Sequence, residues 1–542
     1  MRHAYTRKWA VAAALLVCLT QQHSLVNADA YGCSPSGQKC CLSGQRCSQG
    51  LPGCPGGSRR SSALYGCSGE RWDNSRLPFD WSYAGYASGE KPIPWVSQSV
   101  DVKSFGAKGD GRTDDTWAIT KAIDAARKGS AVFFPAGKYV ITKRIDIRKQ
   151  VVLRGAGRDA TTLYFPHSLA DVYGSRGGWG HGTCFLNFWG WNPVKPGVTY
   201  LAHVTSGYAA RGSRQLAVDD VGRFKPGQWV RLVLQDSSEV FRSVLMGNKM
   251  DPGWPKAAAP GSNFLVRFSS RVKSVGPGSS ITLERALPWE VKQQWGPQLH
   301  AVKPRVVDAG LEALTIEFAW SPYKGHLKED GLNAVMFNQM AQSWIKDVRF
   351  LNSDTAVYFW GVSFSTVQDV EIATTKPRSS RSSDLWGGLD RQGHRGIWSE
   401  FGEANLFTRI AMKVPFVHDF SVATAETGSV WSNSWGADLN LDFHKGAPYA
   451  NLYTDLDLGQ GSRPFKSGGA AGAGPHAAAY QTFWNLKSRQ PLTLPDAGFG
   501  PLANYVGLQT RESAALRVGA RSEAGAFPQD LYASMKKKRM GW

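Results

Sequence analysis

Residues 344–350 read Trp344-Ile-Lys-Asp-Val-Arg-Phe350, and residues 366–372 read Thr366-Val-Gln-Asp-Val-Glu-Ile372. The pattern is the same, displaced by 22 positions, so that Asp347 falls on Asp369 and Val348 on Val370. A β-rich unit of this length cannot bury its apolar face alone. It suits one coil of a solenoid, in which each turn is covered by its neighbours. Short strands of similar character recur at 311–318, 407–414, 416–422, 437–443 and 451–456. The chain's 59 glycines are suited to the tight corners that such coils require.

The start of the chain points outside the cell. Arg2, Arg7 and Lys8 precede a short apolar run over 9–19, and Ala28-Asp29-Ala30 offers a small-residue cleavage site. This is the layout of a secretory signal peptide, 1–30, and the apolar run is too short to span a bilayer comfortably. Six cysteines then crowd together: Cys33, Cys40, Cys41, Cys47, Cys54 and Cys67. In a secreted chain they imply a disulfide-stapled module over 31–70, with the pairing left open among fifteen possibilities. The spacing of Cys41, Cys47 and Cys54 after a Cys-Cys pair resembles the centre of hevein-type chitin-binding modules. The segment Leu42–Arg46 nevertheless lacks the aromatics that would stack on sugar. Cys184 stands apart and is expected to be a buried small apolar residue. No Cys/His spacing indicates a zinc site, so no metal ligands are assigned. Calcium stays open as a cofactor, because scattered acidic side chains offer oxygen ligands.

Residues 71–98 read as a linker, rich in Gly, Ser, Pro and Trp. Beyond it, Phe105-Gly-Ala-Lys-Gly-Asp-Gly-Arg-Thr-Asp-Asp115 leads into an amphipathic stretch with Ile119, Ala122, Ile123 and Ala126 on one face. That spacing predicts a helix of about fifteen residues, capped by Thr113 or Asp114 and ended by Gly129. Val132-Phe-Phe-Pro-Ala-Gly-Lys-Tyr-Val-Ile141 and Val151-Val-Leu-Arg-Gly-Ala-Gly157 follow. This succession resembles the N-terminal cap and first turns of the pectate-lyase superfamily, in particular its rhamnogalacturonase/epimerase-like pectate lyase domains. The resemblance implies an all-β fold: a right-handed parallel β-helix with an N-terminal capping helix. It also implies action on a polysaccharide. Asp110, Asp114 and Asp115 belong to the capping motif and read as turn and helix-cap carboxylates rather than catalytic ones. The cap and first coils occupy 99–191, and the main body, with a groove, occupies 304–516. Residues 192–303 break the rhythm. Stretches 216–234 and 272–283 read as hairpins of a β-rich insertion on one side of the solenoid. Residues 517–542, ending in Met535-Lys-Lys-Lys-Arg539, read as a mobile basic tail.

A β-helix presents a long open face suited to an extended polymer, so the candidate chemistry is sought among polar residues about one coil apart. His394-Arg395, His418-Asp419 and His444-Lys445 recur at offsets of 24 and 26 residues and are expected to line one exposed strip. Asp384, Asp390, Arg391, Trp398, Glu400, Trp435 and Tyr449 lie in the same region as candidate substrate contacts, among further acids that include Asp442. β-Elimination from a uronic-acid polymer needs a cation on the carboxylate, a base for the adjacent C–H and an acid for the leaving oxygen. Arg391, Arg395 and Lys445 suit the first task. His394, His418 or His444 suits the second, and Tyr449 or Tyr453 the third. A hydrolase would instead use paired carboxylates such as Asp384, Asp390, Asp419 and Glu400. Asn352-Ser-Asp354, Asp384, Gly393-His-Arg395 and Arg409-Ile410 partly follow the order of pectin-hydrolase motifs and depart from them at three of the four elements. The reading is therefore a secreted polysaccharide lyase acting on an acidic polymer. A glycoside hydrolase and a non-catalytic wall-binding protein are the alternatives, with neither a nucleic-acid partner nor a membrane span. The formal net charge of +20 fits an anionic partner, although only +11 of it lies within 71–516.

Overall fold

The computed structural model describes residues 64–72, 76–175, 178–180, 182–190, 200–234, 238–249, 266–302, 306–379, 391–496, 498–511 and 526–541. The signal-like start and Cys33, Cys40, Cys41, Cys47 and Cys54 lie outside this set, as do Asp384 and Asp390. Cys67 is within the described part, its amide donating to Glu70.

The coil body is a right-handed parallel β-helix. Gly310–Phe318 pairs in parallel with Trp344–Leu351, which pairs with Thr366–Ala373, which in turn pairs with Leu406–Met412. The 22-residue pattern is this register, with Ile345 opposite Val367 and Val348 opposite Val370. The repeated aspartates fall at the gap in the ladder. Asp347 and Asp369 have φ of 55° and 57°, and Ala313 and Arg409 in the neighbouring coils have 57° and 53°. A left-handed residue at the same height in each coil bends one long strand into two faces. Before the bend, Gly310–Glu312 pairs with Val152–Arg154; after it, Thr315–Phe318 pairs with Thr162–Phe165. Asp tolerates this conformation through local hydrogen bonding, whereas Ala has no such relief. Ala313→Gly is therefore expected to raise stability by about 0.5–1 kcal/mol in denaturant unfolding. A loss of stability would show that the bend is not strained there.

A second sheet completes the coil and carries the site. Its seven strands stack in the order Leu441–Phe443, His418–Ala423, Arg395–Glu400, Thr355–Trp360, Asn333–Asn338, Leu186–Trp189 and Ile145–Ile147. Inside the solenoid, in-register aromatics form a column: Phe407, Trp431, Tyr453, Phe483 and Tyr505. Corner amides are satisfied by a polar ladder. Ser365 N donates to Asn405, Asn405 N to Ser429, Ser429 N to Asn451 and Asn451 N to Gln481. Buried backbone donors at the turns thus keep partners.

The capping helix is Thr116–Ala125, shorter than the sequence pattern predicts, with Asp115 at its N-cap. The three motif aspartates hold the approach to it. Asp110 accepts from Arg112 N and Thr113 N, Asp114 from Thr116 and Thr142, and Asp115 from Lys108 N and Gly109 N.

Within 200–301 an antiparallel sheet of six strands runs in the order Gln215–Ala217, Ser280–Leu283, Val266–Gly276, Trp229–Leu234, Gln298–Ala301 and Tyr200–His203. The stretch 272–283 includes a hairpin, but 216–234 does not. Gln215–Ala217 pairs with Ser280–Leu283, while Trp229–Leu234 takes the centre of the sheet between two other strands. An apolar run such as Trp-Val-Arg-Leu-Val-Leu is better buried there than at the edge a local hairpin would leave it. One apolar cluster joins this sheet to the coils, with Leu232, Phe268 and Trp289 packed in the same cluster as Val430, Leu452 and Trp484.

The basic C-terminal stretch is a docked helix, not a loose tail. Leu531–Met540 is capped by Asp530, and Arg539 donates to Glu90 and to the carbonyls of Ser82 and Ser88. Leu531 and Met535 supply the buried apolar face that a mobile tail would lack. No helix among the described residues is long and apolar enough to cross a membrane.

Candidate active site

The three histidines come together on consecutive coils. His394 immediately precedes the strand Arg395–Glu400, and His418 begins the next strand, with Arg395 and His418 in register. The ring centroids of His394 and His418 are 5.5 Å apart, and those of His418 and His444 4.9 Å. Their ladder positions are not equivalent. Ser421 lies opposite Asp442, so His444 sits two residues beyond that pair and reaches the cluster from the end of its strand. The strip is also not exposed: His394 and His418 are buried, and only His444 keeps appreciable solvent contact, at 17% of its side chain. The loop around Gly468 lies directly over the rings. A Cβ there would fall 2.6 Å from His444 Cε1 and 2.9 Å from His418 Cε1, so the close approach requires glycine.

Asp442 organises the cluster. Its Oδ2 lies 3.0 Å from His444 Nδ1 and 3.2 Å from His418 Nδ1. It also accepts from Ser421 Oγ at 2.5 Å, and its Oδ1 accepts from Gly468 N at 2.7 Å. Burial opposes ionisation of this carboxyl, but the two imidazoles and these donors outweigh it and hold Asp442 well below the usual carboxylate range. Burial, with His394, His444 and Arg395 close by, pushes His418 well below its ordinary value and overrides Asp442. His394 Nδ1 lies 3.0 Å from Glu329 Oε1, a buried carboxylate held by Tyr323 and Leu327 N. His326, from the same loop as Glu329, completes the group, with its ring centroid 4.7 Å from His394 and 5.8 Å from His418.

A second pair lies alongside. Tyr358 donates to Glu400 Oε1, and its ring stacks on Trp398 at 4.2 Å. Arg395 is fully buried, lies 3.5 Å over the Trp398 ring and donates to Gly180 O. Burial raises the Glu400 carboxyl, more than Tyr358 and Arg395 lower it, and burial beside Glu400 raises Tyr358 well above the ordinary phenol range. The upward shift of Glu400 has a consequence for stability. Between the ordinary Glu value and its raised native value, the unfolded chain has lost a proton that the folded chain keeps, so stability falls as pH rises through that window. Glu400→Gln cannot ionise and escapes this fall. In denaturant unfolding, the wild type is expected to lose stability relative to the variant on going from about pH 4 to about pH 8. Parallel curves would refute the shift.

The remaining sequence candidates lie elsewhere or serve the fold. Asp419 is fully buried and accepts from Arg463 Nη2, Phe416 N and Asn440 N, the role of a structural ion pair. Arg391 is buried and donates to Phe416 O. Tyr449 is buried against Phe79, Trp289 and Tyr480, where coil and antiparallel sheet meet, and Tyr453 is inside the aromatic column. Both phenols are enclosed in the interior rather than open to a substrate. Trp435 is exposed on the other sheet, beneath Lys413. Lys445 is half-buried beside His444, at φ 67°. Cys184 is buried and free, as expected of a small apolar residue. His326, Glu329 and Tyr358 are additions. Tyr358 stands 40 residues before its partner Trp398, because residues 374–394 lengthen the interval between Ala373 and Arg395 and hide the period.

The comparisons place this fold. Residues 99–177 match the family model for rhamnogalacturonase A/epimerase, pectate lyase-like. Alginate lyase 7 of Azotobacter vinelandii is 44% identical over 72 residues, 12% of this chain and 8% of that protein. A probable glucan endo-1,3-beta-glucosidase of Arthroderma benhamiae is 46% identical over 56 residues, 10% of this chain and 6% of that protein. The chain thus spans less than a tenth of either relative. Among solved structures, the tailspike protein gp49 of Pseudomonas phage LKA1 aligns over 75% of this chain and 64% of its own, with 12% identity and a TM-score of 0.41. An exopolygalacturonase of Thermotoga maritima aligns over 80% of this chain and 75% of its own, with 10% identity and a TM-score of 0.33. Parallel coils and the matched cap together define a pectate-lyase-like β-helix protein. A mannuronan C5-epimerase of Azotobacter vinelandii is likewise 42% identical over 72 residues, 12% of this chain and 4% of that protein.

Proposed function

We propose that this chain is a secreted polysaccharide lyase that cleaves a uronic-acid polymer by β-elimination at the His444 end of the cluster. The observation that carries the reading is the His418–Asp442–His444 arrangement, in which one imidazole faces solvent while a locked carboxylate orients it. His444 takes the proton beside the uronate carboxylate. Asp442 holds the ring and stabilises the imidazolium that forms. Lys445, next in the chain, neutralises the substrate carboxylate, and buried Arg395 adds a positive field from below. Glu400, whose carboxyl burial raises, is the candidate acid for the leaving oxygen, with Tyr358 bonded behind it. The names of two relatives, an alginate lyase and a mannuronan C5-epimerase, are in keeping with a uronan substrate.

The second reading, a glycoside hydrolase, draws on the same site. Asp442 is held well below the usual carboxylate range while burial raises Glu400, and two carboxyl groups pushed apart in this way suit acid and base roles at a glycosidic bond. Incubation with pectate, alginate and neutral glucans, with and without Ca²⁺, separates the readings. Unsaturated, ultraviolet-absorbing ends from an acidic polymer are the expected product. Reducing ends from a neutral glucan without that absorbance would establish the hydrolase instead. Tight binding without any product would leave a wall-binding protein.

A further inference from the structure

We infer that His326, His394 and His418 form a three-histidine site for a divalent first-row ion that prefers imidazole, of which Zn²⁺ is the type. One ring nitrogen from each comes within 4.8 Å of the other two. The three arise from different parts of the fold: His326 from the loop before Asn333–Asn338, and His394 and His418 from the starts of two adjacent strands. No short spacing motif could announce them.

The outer shell supports the assignment. Metal-binding imidazoles commonly have a carboxylate at the other ring nitrogen, which fixes the tautomer and the ring orientation. Here both buried rings have one: Glu329 Oε1 at 3.0 Å from His394 Nδ1, and Asp442 Oδ2 at 3.2 Å from His418 Nδ1. A carboxylate at Nδ1 favours the proton there and leaves the lone pair on Nε2. Both carboxylates are themselves locked, Glu329 by Tyr323 and Leu327 N, Asp442 by Ser421 and Gly468 N. His326 is half-buried, which gives the ion a route from solvent, and three protein ligands leave the fourth position of a tetrahedral ion open.

The site stands on geometry alone and does not depend on the lyase reading. The test therefore measures bound metal, not activity. The full chain is stripped with a chelator, dialysed against Zn²⁺ and counted by mass spectrometry. About one retained equivalent per chain is expected, together with a rise in melting temperature on adding Zn²⁺. Co²⁺ in its place should give the visible bands of a low-coordinate ion. His326→Ala and the polar His326→Gln should lose the equivalent and the thermal shift while keeping the circular dichroism of the metal-free protein. Glu329→Gln should weaken binding about 10- to 100-fold. Retention of no Zn²⁺ by the wild type, or of equal Zn²⁺ by both His326 variants, would overturn the assignment. Loss in His444→Ala with retention in His326→Ala would also overturn it, moving the ion to His418, Asp442 and His444, whose ligand atoms are likewise within 4.8 Å.

Discussion

Replacing His444 with Ala is expected to lower kcat on an acidic polysaccharide by about 10²- to 10⁴-fold, the contribution of one well-placed general base. KM should change little, because the side chain acts on a proton and not on the sugar's binding energy. The prediction isolates His444 from the other two histidines for a structural reason. His394 and His418 are buried, whereas His444 keeps 17% of its side chain exposed at the end of its strand. Its removal leaves Asp442 with Ser421, Gly468 N and the His418 contact, so no carboxylate is stranded and the fold should hold. The rate of formation of unsaturated ends gives kcat and KM, and a melt of the same sample checks the fold. Full activity in a folded His444→Ala protein would remove the base from the mechanism and the proposed reaction with it.

The same residues show what a sequence can and cannot disclose about a solenoid. Coil length is visible where coils are regular, and the pair Asp347 and Asp369 marks it because a left-handed corner recurs at one height. The cap is visible because its Gly and Asp residues are dictated by local backbone geometry. The proximity of His394, His418 and His444 follows from stacking at roughly one coil per offset. Their burial does not follow, because it depends on loops that fold over the sheet from far away, such as those that hold Gly468 and His326. Tyr358 escapes for a related reason: the strand Thr366–Ala373 and residues 374–394 separate it from Trp398, and no fixed period bridges 40 residues. Asp419 and Tyr449 mislead in the opposite sense. Each is a residue type that catalysis uses, yet one is neutralised by Arg463, 44 residues ahead, and the other packs beneath a sheet that interrupts the coils.

Trp431→Ala tests what holds the coils together beneath that site. Trp431 is fully buried, stacked on Phe407 at 3.9 Å and on Phe420 at 4.7 Å, with Tyr453 parallel to it at 6.0 Å. Removing it deletes the largest ring of the column and opens a void between coils that cannot close, because backbone pairing on either side fixes their spacing. The expected loss is about 3–5 kcal/mol in denaturant unfolding, a large share of the roughly 5–15 kcal/mol that holds a domain folded. A solenoid's stability is a sum over neighbouring coils, so the damage should also be directional. Coils beyond the void, from Leu441 to Val506, should exchange their amide hydrogens faster, while Gly310–Ala373 stays protected. Trp435→Ala, four residues on, is the control. That ring is 42% exposed, and its loss should cost no more than about 0.5 kcal/mol. If the two variants lost equal stability, the aromatic column would not be the element that couples one coil to the next.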